Sequence, residues 1–381
     1  MTERAAEPGA PLRFDRVECL AAFADLGTFI PFVLAYVGVF DMDPAGILLA
    51  FGAALAGCGL LYRTPFPVQP MKAVGALAVA QAGAVTGATI VAASLVSGVF
   101  WLLLGLSGAA TRLARLVPAE VVQGIVIGLG ASFMLQGGRM MDTDWPAALV
   151  ALLVAVALRR SRLFPAMLLL LLGGFAYGMV RNPSLWEAAR FGSQFGFAPR
   201  LPALAVGALE WKDFMNGALL LALPQLPLTL GNAVIAVTGE NNRLFPERPT
   251  TVRTVALTTG AMNLAGSLVG GVPMCHGAGG MAACTAFGAR TGGAPVVFGG
   301  VLLILALCFS ESSAFLLQAL PAAVLGAILF LAGARMAAGN APRTRDWRVL
   351  LPIALTAGLA LWNVGLAFLA GMTVHWAVRR P

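Results

Sequence analysis

The chain reads as an all-α polytopic membrane protein, with about fourteen spans in two inverted seven-span repeats. Three observations carry that expectation. Hydrophobic residues make up 59% of the 381 and charged residues only 11%, with a mean hydropathy of +0.85. A soluble domain carries about 25% charged residues, so most of this surface is solvated by lipid. Two long apolar stretches are broken by the pairs Pro70-Met71 and Pro273-Met274, 203 residues apart, and Pro118-Ala119 and Pro321-Ala322 repeat that offset. Arginine, finally, is concentrated in alternate loops.

Apolar runs of about 20 residues cross a bilayer as helices. They fall near 16–38, 45–62, 69–82, 84–107, 118–136, 145–158, 163–180, 214–238, 253–270, 275–288, 292–309, 316–334, 347–361 and 362–378. The third and tenth are too short to cross alone. Each follows a break, Pro65-Phe-Pro-Val-Gln-Pro-Met-Lys72 or Gly270-Gly-Val-Pro-Met-Cys-His-Gly-Ala-Gly-Gly280. A half-helix starting at the midplane leaves extended backbone to fill the crossing, tolerated only where protein or a cavity shields it from lipid.

With the tail 1–15 inside, the inner loops receive eighteen arginines, among them Arg13, Arg63, Arg243, Arg290, Arg335 and Arg379. Arg139, Arg181, Arg190, Arg200 and Lys212 fall outside. This asymmetry follows the positive-inside rule. It accounts for the net charge of +8 without nucleic acid as a partner. Seven spans per half is an odd number, so the second repeat enters with opposite orientation, about a pseudo-twofold axis in the membrane plane. The expected organisation is a cytoplasmic tail 1–15, a first repeat 16–180, an extracytoplasmic linker 181–213 with room for a short interfacial helix, and a second repeat 214–378. No cleavable signal peptide and no C-terminal regulatory domain are expected, and both termini should be cytoplasmic. The five cysteines lack paired spacing and read as core residues. With 23 Arg against 2 Lys the chain suits a GC-rich bacterial genome, hence a bacterial plasma membrane.

Both half-helices should begin near the bilayer centre with their N-termini facing. Each presents unsatisfied N–H groups and roughly half a positive charge, and two together make an anion cradle. The second break offers backbone at Cys275, His276 and Gly277, and its glycines permit close approach. Lys72 is a cation at mid-span, which costs about 2.5–3.5 kcal/mol on insertion scales. It either meets the substrate or pairs with a carboxylate, Asp25 being the obvious one. Gln69 would donate to the same site or satisfy backbone freed by the break. His276 would donate, carry a proton or brace a carbonyl. Met71 and Met274 read mainly as packing.

A third cluster, Gln225, Thr229 and Asn232, has i, i+4, i+7 spacing and so shares one inward helix face. Asp25, nine residues after Arg16, lies about 13 Å deep at about 1.5 Å per residue. It is the candidate proton carrier or counter-ion. Glu120, two residues after Pro118, suits a helix first turn. Gln81, Gln123, Gln318, Asn263 and Asn363 read as glue between helices, and His375 as structural.

These motifs resemble one family. Pro67-Val-Gln-Pro-Met-Lys72, Leu223-Pro-Gln-Leu-Pro-Leu-Thr229 with Asn232, and Cys275-His-Gly-Ala-Gly-Gly280 with Phe287-Gly-Ala-Arg290 look like the molybdate-transporter branch of the sulfate permease superfamily. The resemblance covers nearly the whole chain. It implies the seven-plus-seven fold, with a core (spans 1–4 and 8–11) and a gate (spans 5–7 and 12–14). It also implies a tetrahedral oxyanion, molybdate or sulfate, bound between spans 3 and 10, and a homodimer as the assembly to test. One stretch departs: Ala282-Ala-Cys-Thr-Ala286 stands where a Gln and bulkier polar residues are expected.

The expected activity is alternating-access transport of molybdate, with sulfate or tungstate as competitors. No cofactor or metal is expected. A channel on the same scaffold stays open. A proton-coupled nucleobase carrier is disfavoured because 214–238 and 275–288 contain no Asp or Glu. A membrane enzyme is disfavoured because no intramembrane acid pair or histidine cluster is visible.

Overall fold

Helices begin where the chain supplies a side-chain acceptor or a proline for the first turn. Asp43, Thr86, Asp144, Thr251 and Asp346 each accept from a backbone N–H two or three residues on. Pro118 and Pro321 occupy matching N-caps at φ −64° and −62°. The computed structural model describes residues 11–158 apart from 73, 76, 77 and 79–84, then 166–183, 187, 197–312 and 319–379.

In chain order the elements are α1 (Arg16–Ala21), α2 (Leu26–Phe40), α3 (Pro44–Tyr62), β1 (Gln69–Pro70), α4 (Gly87–Leu106), α5 (Ala109–Arg115), α6 (Ala119–Met141), α7 (Trp145–Ala157) and α8 (Ala166–Arg181). Then come α9 (Trp211–Leu244), α10 (Val252–Leu268), β2 (Met274–Cys275), α11 (Ala278–Ala286), α12 (Gly293–Cys308), α13 (Ala322–Gly339), α14 (Trp347–Ala360) and α15 (Val364–Arg379). Five of the described helices are long and apolar enough to cross a membrane alone: α3, α4, α6, α9 and α13.

Helices occupy the described parts of the expected segments, with four differences. The first span breaks at Ala22–Asp25, so Asp25 stands at the start of a second helix rather than inside one. The eighth runs 34 residues, with π-helical stretches Gly217–Ala222 and Thr229–Ala236 flanking Leu223–Leu228. Pro224 and Pro227 lack N–H donors, and their rings push against the preceding turn, which explains the wider winding. The twelfth starts at Ala322, behind Pro321 rather than at 316. A short helix, α5, with Arg112 and Arg115 in its last turn, follows α4. Beyond Met71 the third span is described only at Lys72, Val74, Gly75 and Ala78, all helical; Gln81 and Gln318 lie outside the described residues.

Three antiparallel helix pairs make the frame, each with glycine every second turn. Gly52 and Gly59 of α3 meet Gly299 and Gly292 of α12; Gly130 and Gly137 of α6 meet Gly333 and Gly326 of α13. Gly98 and Gly105 of α4 press on Leu264 and Leu257 of α10. Small residues let backbones approach closely, the main source of helix association inside lipid. The repeat operation exchanges the α3–α12 and α4–α10 pairs and maps α6–α13 onto itself. A second group forms on α6 and α13, where α14 and α15 pack on α6 and α7 packs on α13.

Of the segment joining the repeats, Pro183 and Glu187 are helical and a 3₁₀ turn lies at Val206–Ala208 before α9. Its amides satisfy helix C-termini: Ala198 N donates to Cys308 O, Arg200 N to Leu307 O and Ala205 N to Leu268 O, each at 3.0 Å. Arg200 also clamps both Asp43 carboxylate oxygens, at 2.7 and 3.2 Å.

A Cβ on Gly130 would lie 2.7 Å from Gly333 O and 2.8 Å from Ala337 N, whereas one on Gly138 meets nothing within 4 Å. Gly130→Val is therefore expected to destabilise by about 1–3 kcal/mol through overpacking. Gly138→Ala should be neutral or stabilising, by up to about 1 kcal/mol. Thermal unfolding in detergent measures both, and equal melting shifts would refute the seam as described.

Candidate functional site

The two breaks meet as strands. β1 and β2 pair antiparallel, with Gln69 opposite Cys275 and Pro70 opposite Met274. The 203-residue offset carries the pair Pro70–Met274 onto Met71–Pro273, and Met71 N donates to Pro273 O at 2.9 Å. The pseudo-twofold therefore passes between the strands. Proline lacks an N–H, so each break tolerates only a short ladder, and side chains finish the task.

Asn263 of α10 acts as a third strand: its Oδ1 accepts from Met274 N at 2.8 Å and its Nδ2 donates to Met274 O at 2.6 Å. Ser94 of α4 donates to Asn263 Oδ1 at 3.1 Å. Asn263 thus braces a break, beyond the general gluing role expected of it. His276 is fully buried with both nitrogens engaged: Nδ1 lies 2.8 Å from Pro67 O, and Nε2 lies 2.9 Å from Thr258 Oγ1, which Tyr62 Oη approaches at 2.6 Å. A carbonyl only accepts, so Nδ1 carries a proton and donates it to Pro67 O. The His276 ring ties one break to the other and faces framework, not a ligand.

Gln69 is 1% exposed, and its Nε2 lies 2.7 Å from both carboxylate oxygens of Asp25 and 3.1 Å from Thr28 Oγ1. Thr28 also donates to Asp25. Glycines make room for this bridge. A Cβ on Gly280 would sit 2.7 Å from Asp25 Oδ2 and 2.8 Å from Gln69 Nε2, and one on Gly277 would strike Gln69 Oε1. Asp25 is therefore held by Gln69 and Thr28, and among the described residues it forms no ion pair with Lys72. Lys72 instead places Nζ 3.8 Å from the ring centroid of Phe133, a cation–π contact.

Gln225 caps the first half-helix: its Oε1 accepts from Val74 N at 3.3 Å while its Nε2 donates to Thr229 Oγ1 at 3.0 Å. Thr229 and Asn232 are buried beside it, and Asn232 Oδ1 has no hydrogen-bond partner among the described residues. Met71 and Met274 are wholly buried and Cys275 nearly so, as packing requires. In α11, Gly280 N bonds to Gly277 O at 3.0 Å, but Ala278 N and Gly279 N find no backbone acceptor among the described residues. Those N–H groups and the Lys72 ammonium, beside Phe133 and Gly279, are polar groups left near the start of α11 among the described residues.

Glu120 stands in the first turn of α6, as expected, and its carboxylate also lies 3.3 Å from His375 Nδ1. One further reading changes. Asn363 caps α15 through Leu366 N at 3.0 Å rather than joining helices. Gln123 does join them, donating to Asn340 O at 2.7 Å. Phe133, which touches Lys72 and also closes over Gly279, was not legible as a site residue. Its only signal is the glycine register of α6, which turns it towards the same neighbours as Gly130 and Gly137.

The profile of the family described as "Molybdate transporter of MFS superfamily" matches residues 17–133 and 217–336. Molybdate transporter 1 of Arabidopsis thaliana is 30% identical over 400 residues, spanning 93% of this chain and 86% of its own length. Molybdate transporter 1 of Chlamydomonas reinhardtii is 29% identical over 492 residues, spanning 97% and 92%. Among solved structures, murine Solute Carrier 26 family member A9, an anion transporter in the inward-facing state, aligns with a TM-score of 0.63 at 10% identity, over 96% of this chain and 69% of that one. The transmembrane domain of the cyanobacterial bicarbonate transporter BicA aligns at 0.53 and 17% identity, over 95% and 97%. At these identities the structures establish the fold.

Asn263→Leu keeps the volume but strips both partners from Met274. The expected loss is roughly 1–3 kcal/mol for each orphaned group, visible as a large drop in melting temperature. Ser94→Ala, which removes one neutral bond, should cost about 1 kcal/mol. An Asn263→Leu variant as stable as Ser94→Ala would show that the break does not depend on this side chain.

Proposed function

The chain belongs to the molybdate transporter family, and on that premise we propose that molybdate is held between the facing ends of the two broken spans. The protein is an integral membrane transporter of an oxyanion, not an enzyme. The observation that carries the binding mode is the antiparallel β1–β2 pair, which brings the starts of both half-helices to one point beside Lys72.

A divalent anion there meets the Lys72 ammonium, the free Ala278 and Gly279 N–H groups and two helix dipoles, a set that suits an oxyanion. Asn232, turned over at its amide, presents Nδ2 to the same point. Gln69, Gln225 and His276 act one step back. They fix the helix ends whose backbone does the binding, with Cys275 and Gly277 as part of that backbone and Thr229 orienting Gln225. Asp25 is the buried carboxylate nearest this assembly, and we assign it the coupling role, through Gln69.

The helices divide into a core, α1–α4 with α9–α12, and a gate, α6–α8 with α13–α15. Phe133 is the gate residue that closes over the site. Alternating access then consists of the core moving against Phe133 and its neighbours while the anion stays on the half-helix ends. The face carrying Arg63, Arg243, Arg248, Arg253 and Arg290 is the cytoplasmic one under the positive-inside rule.

Purified protein in proteoliposomes should take up labelled molybdate and not uracil. Lys72→Ala removes a charge-assisted contact of about 1.5–3 kcal/mol, so uptake should fall by roughly ten- to hundredfold. Uracil uptake without molybdate uptake would overturn the transport reading. Undiminished uptake by Lys72→Ala would remove that residue from the site.

A further inference from the structure

Helix α11 has nine residues and is about 13 Å long at about 1.5 Å per residue. Helices below about 12 residues are marginal without tertiary support, so what grips the two ends of α11 decides where its first N–H groups point. The first span supplies both grips. At the start of α11, a Cβ on Gly280 would lie 2.7 Å from Asp25 Oδ2, so the Gln69–Asp25 bridge seats that end. At the far end the chain leaves α11 through a tight turn. Gly288 N donates to Thr285 O at 3.2 Å and Ala289 N to Cys284 O at 3.0 Å, with Gly288 at φ +108°, a conformation that favours glycine.

Glu18 of α1 closes on this turn. Its Oε2 accepts from Arg290 N at 2.9 Å, and its Oε1 accepts from Thr291 N at 2.8 Å and from Thr291 Oγ1 at 3.0 Å. Glu18 is 1% exposed and makes no ion pair among the described residues, so these three donors are what meets its charge. Asp15, the N-cap of α1, fixes Glu18 in turn by accepting from its N–H at 3.0 Å. Thr291 Oγ1 also accepts from Arg13 N and from Gly293 N, each at 3.1 Å. A Cβ on Gly288 would strike Val17, and one on Gly293 would strike Arg13 O. The stretch Arg13–Glu18 is thus fitted closely to the turn between α11 and α12.

We propose that Glu18 is a positioning residue for transport: from the far end of α11 it sets the direction in which the Ala278 and Gly279 N–H groups meet the oxyanion. The proposal rests on the binding mode proposed above and extends it to a residue that does not touch the anion. Both ends of α11 are held by one span, with Glu18 before the break at Ala22–Asp25 and Asp25 after it. The half-helix keeps its aim only while both grips hold. Glutamine at position 18 keeps the size but turns an NH₂ group towards at least one of the two backbone N–H groups, leaving a donor against a donor. The turn must then shift, and the N–H groups of α11 shift with it. A misplacement of about 1 Å caused from a distance can cost about a hundredfold.

The test is equilibrium binding of radiolabelled molybdate to the protein in nanodiscs, with thermal unfolding of each variant measured alongside. Glu18→Gln should raise the Kd for molybdate roughly ten- to hundredfold. Asp43→Asn alters a carboxylate that caps α3 and holds Arg200, neither of them part of α11. It should lower the melting temperature and keep the wild-type Kd. Thr291→Val, which takes one donor from Glu18, should also raise the Kd, whereas Thr291→Ser should keep it. A wild-type Kd in Glu18→Gln would overturn the proposal. So would an equal rise in Asp43→Asn, the mark of a general loss of stability. Should Glu18→Gln fail to fold, Thr291→Val decides, and a wild-type Kd there overturns the proposal. The readings beneath it fail differently: no molybdate bound by the wild type overturns the transport reading, and undiminished affinity in Lys72→Ala overturns the binding mode.

Discussion

Everything about this site follows from one constraint: two stretches of backbone lose their helix in the middle of an apolar protein, where each unpaired peptide group is expensive. The β1–β2 ladder satisfies only part of the need, because Pro70 sits in one strand and Pro273 immediately precedes the other. Asn263, Gln225 and His276 supply the remainder from three other elements. These polar side chains sit where they do because of the broken backbone, and the broken backbone is what exposes two helix ends to a ligand. On the proposed binding mode, the ion site is a by-product of how the breaks are stabilised.

The architecture was legible to the extent that it depends on hydropathy, proline position and arginine distribution. The shared offset of Pro70, Pro118, Pro273 and Pro321 marked both breaks and the start of α6, whereas the expected start of the twelfth span at 316 gave way to Ala322, behind Pro321. Partner choice was not legible. Nothing about Gln225 in a string of letters says that its oxygen reaches Val74 N on another helix, or that the carboxylate facing Gln69 is Asp25 while Lys72 turns to Phe133. Those pairings depend on crossing geometry, which several crowded aliphatic surfaces set together. The seven-residue glycine spacing along α3, α4 and α6 was readable in principle, since only small residues let helices close to this distance. The π-helical winding of α9 had a visible cause in Pro224 and Pro227 but no visible extent.

The family's description places these transporters in the MFS superfamily, whereas the fold is that of the bicarbonate and Solute Carrier 26 transporters. The physical distinction lies in the strands. MFS halves are related by an axis along the membrane normal, an operation that would leave two crossing segments parallel. Here they are antiparallel, with a register that maps onto itself under the repeat, so the inverted-repeat assignment is the sound one. The repeat is nonetheless chemically uneven: the first break carries a lysine and the second a glycine-rich turn, which suits a ligand with charge to be met and oxygens to be hydrogen-bonded.

The segment joining the repeats bonds to the ends of α10 and α12 and to Asp43 at the start of α3, all helices of a single group. On the proposed division the joining strap travels with the core. On that division the chain passes from one body to the other between α5 and α6, between α8 and α9, and between α12 and α13. The prolines that open α6 and α13, fixed at φ −64° and −62°, stand at the gate side of two of these passages, as stiff sockets against which a rocking body can turn.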